Sequence, residues 1–304
     1  MRGFSVLGAS RNTYEQGGHM SVVMTREVAK APPVIPPGRR RTWTRFILPA
    51  YAGLVLFYLV LPILIMILYG FNASGFKRVS FRWEGFSLFA YTHLFARPDL
   101  TAALKNSLVI AVGSTIIATM LGTLIALALV RYRFRGRGVS EFVLFLNISA
   151  PEIVLGASLL ALFVSFGVPR GLLTIVIAHV MFNIAYVAIT VRARLAGFDR
   201  HLEEAAQDLG AGPWTTFLRV TLPLIWPGIL AGGLLAFALS IDDFVITNFN
   251  AGAAQTFPLW VYGAVKVGIP PQVFAMGTLI FMAGVLLAVA NILLQHRKPV
   301  TLNR

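Results

Sequence analysis

Six stretches of the chain stay apolar long enough to cross a bilayer: 46–71, 108–130, 142–166, 172–191, 222–241 and 273–294. A spanning α-helix needs about 20 such residues. The second, fourth and sixth stretches hold no Asp, Glu, Lys or Arg, and the third holds one, Glu152. The fifth has room to run on to Phe249. The pattern therefore predicts an all-α, polytopic membrane protein with six transmembrane helices. Between the fourth and fifth spans the pattern breaks. Residues 192–221 are polar, punctuated by glycine, and re-enter the apolar register at Leu222-Pro223.

Composition agrees with lipid as the solvent. The chain of 304 residues is 57% hydrophobic and only 12% charged. Soluble domains carry about a quarter charged residues. Cysteine is absent, so neither disulfides nor thiol chemistry enter. The net charge of +14 raises the question of nucleic acid, but its distribution gives another reason. With both termini cytoplasmic, the inner segments hold 19 of the 26 Lys and Arg and the outer loops hold 7. That excess is the positive-inside signature, sharpest in "VRYRFRGRG" after the second span. No nucleic-acid partner is needed to explain it.

Three regions follow. Residues 1–45 are rich in proline and arginine, without apolar periodicity, and read as a disordered basic cytoplasmic tail. They show no signal-peptide core, and Met20 or Met24 is an alternative start. Residues 46–294 form the transmembrane domain, with a cytoplasmic loop over 192–223. Residues 295–304 form a short cytoplasmic tail. Trp43, Trp83 and Trp260 fall near the interfaces expected for an aromatic belt. "GILAG" in the fifth span puts Gly228 and Gly232 four apart, which suits close helix contact. The contact is with a partner span or within this chain.

The polar loop predicts two short helices. Asp199 suits an N-cap, with Glu203 and Glu204 in the early turns. Gly210 suits the C′ position, and Pro213 the first turn of the next helix. At about 100° per residue, Leu202, Ala205, Ala206 and Leu209 share one face, and Glu203, Glu204, Gln207 and Asp208 the other. An ordinary headgroup-lying helix wants basic residues on its polar face. This acidic face points instead to a protein partner. Pro223 is expected near the start of the fifth span, where proline is tolerated.

Intramembrane charge marks function by default. Glu152 lies about ten residues into the third span, roughly 15 Å at the helical rise, near the midplane. It either faces a polar path or pairs with a buried group such as His179. Asp242 and Asp243 close the fifth span. They either line a pathway mouth or form a solvated helix end.

Glu204-Ala205-Ala206, three residues, Gly210, nine residues, then Val220-x-Leu222-Pro223 resembles the EAA loop of ABC-transporter permeases. Val220 stands where that pattern has Ile. The resemblance covers 45–294 and implies a type I importer permease fold. It implies that Glu203, Glu204, Ala205, Ala206, Asp208 and Gly210 belong to a coupling helix that docks on an ATP-hydrolysing subunit. It also implies two copies of that ATPase, a second homologous permease and an extracytoplasmic solute-binding protein, in a bacterial inner membrane. ATP and Mg²⁺ belong to the ATPase. This chain carries no phosphate loop, needs no cofactor and has no catalytic or metal site of its own.

"PEIV", "SIDDFVITNF", Phe257-Pro258-Leu259 and Val265-Lys266-Val267-Gly268 resemble the spermidine/putrescine branch. On that reading Glu152, Asp242 and Asp243 face the ammonium groups of a polyamine. Tyr186, Phe244 and Trp260 offer cation–π contact, or plain packing. Iron, sulfate, opines or another organic cation are alternative solutes. A stand-alone channel or an intramembrane enzyme are the alternatives from other classes.

Overall fold

The computed structural model describes residues 44–73, 82–197 and 199–296. The N-terminal region, with Trp43, and most of the C-terminal tail lie outside them. Two compact units divide after Val55. The first, as far as it is described, is the opening part of α1 (Thr44–Gly70). The rest of the chain is the second.

Helices account for nearly all of the regular structure, and no strand is present among the described residues. After α1 come α2 (Phe89–Thr92), α3 (Pro98–Arg131), α4 (Arg137–Ser149), α5 (Glu152–Ser165) and α6 (Leu172–Ala196). Then follow α7 (His201–Asp208), α8 (Pro213–Thr216), a π turn (Phe217–Thr221), α9 (Leu222–Ile241), α10 (Val245–Asn250), α11 (Phe257–Val267) and α12 (Pro271–His296). Among the described residues five helical runs are long and apolar enough to cross a membrane, or six if the bent pair α4–α5 is counted as one span.

The core lies where α3, α6 and α9 meet. Ala126 and Leu127, Val187 and Val191, and Ile225 and Ile229 bury one another there. Close approach depends on small residues. A Cβ on Gly122 would lie 2.7 Å from the Val187 Cβ. One on Gly228 would lie 2.7 Å from the Arg194 Cβ, and one on Gly232 3.4 Å from the Val187 Cα. The Gly228–Gly232 stripe of "GILAG" is thus packed against α6 of its own chain.

Three spans differ from the expectation. The third is not continuous: α4 and α5 meet at 110°. Pro151 forces Ala150 into extended backbone, ψ 137°, because a residue before proline is pushed out of the helical region. Glu152 therefore opens α5 at an elbow, and a depth counted along one straight helix does not apply to it. The fifth span starts earlier, at Pro213, and runs 29 residues to Ile241. Pro223 sits inside that run. In a regular α-helix its ring would strike the carbonyl four residues back. The preceding turn is instead widened, with the Leu222 N–H reaching the Phe217 carbonyl. The run also stops at Asp242 rather than Phe249, leaving α10 as a separate short helix. The second span is longer than expected, because Pro98 and Asp99 start α3 ten residues before the apolar stretch.

Candidate functional site

The polar loop folds as its capping signals suggest. The Asp199 carboxylate accepts the His201 N–H at 3.0 Å. The other end of α7 closes in a Schellman motif. Gly210 takes φ +89°, its N–H donates to Gln207 O at 2.8 Å, and the Ala211 N–H donates to Ala206 O at 3.0 Å. Pro213 occupies the first turn of α8.

The faces of α7 are another matter. Glu203 is not on an outward acidic face. It points in, with 18% of its side chain exposed, and bonds both the Arg131 guanidinium and the Thr221 hydroxyl. Ala206 is half-buried beside it. Leu202 and Leu209, expected to share an apolar face with Ala206, are exposed at 48% and 89%. Ala205, Gln207, Asp208 and Gly210 are exposed too. Glu204 is exposed and accepts from His201 Nδ1 at 3.0 Å. That hydrogen bond, then the charges of Asp199 and Glu204, raise the His201 pKa above its ordinary value. The outward surface of this loop is thus mixed: Leu202, Ala205 and Leu209 with Glu204 and Asp208, and the exposed Trp214 beyond.

Polar links tie the loop to one end of the bundle. Arg131 Nη2 also donates to Thr221 Oγ1 at 3.0 Å, Arg200 Nη2 to Val130 O at 2.9 Å, and Arg194 Nε to Leu224 O at 3.3 Å. Arg192 pairs with Glu141 at 3.0 Å. The two arginine-rich connections that the charge pattern assigns to one side of the membrane therefore meet at one end of the fold.

The acidic residues of the spans separate. Asp243 turns inward. Its Oδ2 lies 3.2 Å from His179 Nε2 and accepts the Thr247 N–H and hydroxyl, each at 2.7 Å. His179 Nδ1 meets Ser240 Oγ at 2.5 Å, and Ser240 meets Ser114 at 2.9 Å. His179 is thus the partner of Asp243, not of Glu152, and Asp243 accepts the N–H of Thr247 in the first turn of α10. The spacing of Ser240, Asp243 and Thr247 on one helical face is the sequence signal for this network. Asp242, by contrast, is exposed and faces a cleft of about 990 Å³ between α9, α11 and α12. Phe244 and Tyr262 line it as well, their rings 4.7 Å apart. Among the described residues lining the cleft, Asp242 alone is charged.

Glu152 is exposed at the elbow. The Tyr186 ring packs on Phe182 at 5.0 Å. Neither residue lines the cleft. Trp260 is not at an exposed interface. It is buried among Leu100, Ala103 and Met276, and its indole N–H donates to Asp99 at 3.0 Å. Trp83 is exposed. No cluster of His, Asp and Glu suited to a metal occurs among the described residues.

The structure is a multi-pass helical bundle that holds a capped helix out from one end, and comparisons with known proteins give its family. Residues 118–298 match the model of the binding-protein-dependent transport system inner membrane component. The spermidine/putrescine transport system permease protein PotC of Escherichia coli is 39% identical over 242 residues, covering 79% of this chain and 90% of that protein. The putrescine transport system permease protein PotI of Escherichia coli is 42% identical over 234 residues, covering 74% and 82%. Among solved structures, a bacterial ABC transporter involved in the import of the acidic polysaccharide alginate shares the fold. Its TM-score is 0.59 at 19% identity, over 86% of this chain and 99% of that one. An amino acid ABC transporter with histidines gives 0.53 at 17% identity, over 68% and 98%. The chain belongs to the family of binding-protein-dependent transport system inner membrane components.

Proposed function

We propose that this chain is the permease subunit of a bacterial ABC importer for polyamines. The observation that carries the reading is that relatives covering 74–79% of the chain at 39–42% identity are named for spermidine and putrescine. The mixed surface of α7 supports the mechanical half. A separate ATPase, present in two copies, binds ATP and Mg²⁺ and takes Glu204, Ala205, Leu209 and Gly210 into a groove. A second, homologous permease completes the pathway, and a solute-binding protein delivers the cargo from outside. Both termini face the cytoplasm, as the arginine distribution argues. Closure of the ATPase pair moves α7, and the site between the permeases faces outward and inward in turn.

Chemistry favours a polyamine. Ammonium groups along a flexible chain pair with carboxylates through charge-assisted hydrogen bonds and sit well against aromatic faces. Glu152 and Asp242 supply carboxylates not held in an internal pair, and Phe244 and Tyr262 supply rings beside Asp242. Asp243 is satisfied within the fold and serves to orient its neighbours. The test is uptake by the assembled complex in proteoliposomes, with labelled spermidine and putrescine and unlabelled competitors. ATP-dependent accumulation of either, displaced by the other, is the expected result. Accumulation of a sulfate, ferric or opine solute instead, with polyamines inert as competitors, overturns the substrate assignment.

A further inference from the structure

The short helix α7 buries no apolar side chain, so apolar packing does not fix it to the bundle. Its attachment is polar and concentrated. Glu203 reaches Arg131, the last residue of α3, and Thr221, the last residue of the π turn. Arg131 closes the triangle to Thr221 at 3.0 Å. Thr221 is fully buried, and the Arg131 and Glu203 side chains are 26% and 18% exposed. One turn earlier, Arg200 holds the carbonyl of Val130 at 2.9 Å. Every one of these anchors lies at the end of α3 or at the foot of α9.

We infer that the Arg131–Glu203–Thr221 triangle is the joint through which displacement of α7 is passed to α3 and α9. The inference rests on the functional reading above and names residues that act behind the docking surface. Charge-assisted hydrogen bonds between partly buried groups are short and directional, so this is a stiff link, whereas the exposed face of α7 has no contact with the bundle. The link ends on the π turn, which is where the 29-residue run through α9 departs from regular geometry. A widened turn recurs at functional sites. Force applied to Thr221 therefore acts on the irregular turn at the foot of the span. α3 receives the same displacement through Arg131, and since α3, α6 and α9 share one core, the three respond together. Glu203 is a positioning residue on this account, distinct from Glu204, which faces the partner.

The experiment uses the whole complex, reconstituted and supplied with binding protein and labelled spermidine, and reads uptake per ATP hydrolysed. Glu203→Gln should keep the ATPase subunits bound while uptake per ATP falls roughly tenfold, the scale expected for losing a charge-assisted hydrogen bond. Thr221→Ala should lower it less. The exchange Arg131→Glu with Glu203→Arg should recover most of it, because the Thr221 hydroxyl both donates and accepts. A merely structural role would reduce the yield of complex and leave the ratio unchanged, and that result overturns the inference. So does loss of assembly in Glu203→Gln joined with a charge exchange that restores assembly but not the ratio. If the unsubstituted complex shows no ATP-dependent uptake, the functional reading fails and takes the inference with it. Normal uptake with an unaltered ratio in Glu203→Gln sinks the inference alone.

Discussion

Replacing Gly210 by alanine isolates the contribution of one backbone angle to docking. A Cβ at 210 meets nothing within 4 Å, so no clash arises. The cost comes from φ +89°, a region where an L-residue pays about 1–2 kcal/mol. Alanine also narrows the unfolded ensemble, which returns about 0.4–1 kcal/mol. The net loss is about 1 kcal/mol, or roughly fivefold in an equilibrium. Since α7 buries no apolar side chain, that loss is not absorbed by a core. It appears as fraying of the last turn, where the bonds from Gly210 and Ala211 hold Leu209 outward. Asparagine tolerates left-handed backbone better than alanine does. Titrating the ATPase subunit against the permease complex in nanodiscs should show docking about fivefold weaker for Gly210→Ala, by the same conversion. Gly210→Asn should lie closer to the parent. Parent-like docking by the alanine variant refutes the reasoning. So does an asparagine variant as weak as alanine, because the missing volume rather than the angle would then be at work.

Gly122→Ala places a methyl 2.7 Å from the Val187 Cβ and 3.0 Å from the Ile184 carbonyl. It should destabilise the α3–α6 contact by about 1–3 kcal/mol, seen as a lower unfolding midpoint in detergent and partly relieved by Val187→Ala; an unchanged midpoint contradicts the packing account. Glu152→Gln should weaken uptake of putrescine and spermidine about tenfold if its charge meets an ammonium group; full uptake of both removes Glu152 from the path. His201 pairs with Glu204 and its pKa is raised. The stabilising pair is therefore complete below the ordinary value of about 6.5 and is lost as pH rises through the shifted one. An NMR titration should place the His201 midpoint above 6.5 and return it toward that value in Glu204→Gln; no difference between the two proteins rejects the pair.

Signals that act locally were legible. Asp199, Gly210 and Pro213 each satisfy a backbone need within a few residues, so their roles follow from sequence. Long uncharged runs read as spans for the same reason. Orientation about an axis was not legible. A helical wheel sorted α7 into two faces but could not say which turns inward, because Glu203 is drawn in by Arg131, 72 residues earlier in the chain. Asp242 and Asp243 look alike in sequence and differ only because His179 lies beside one of them. Trp260 resembles a belt residue until Asp99 is placed 3.0 Å from its N–H. The third span read as continuous because its apolar count runs straight through Pro151. The fifth appeared to begin at Leu222 because a π turn has no compositional mark.

The elbow between α4 and α5 has a further consequence. Each arm has 13 or 14 residues, about 20 Å of helix, and neither alone crosses a hydrocarbon layer of about 30 Å. A helix end leaves up to four amides or carbonyls unpaired, and two such ends face each other across Ala150 and Pro151. Acyl chains offer them nothing to bond. That corner must therefore be wetted or roofed by a neighbouring polypeptide. Wherever the corner lies at hydrocarbon depth with neither water nor protein beside it, each unpaired group there is costly, so the elbow is the place in this chain where bare lipid is least tolerated.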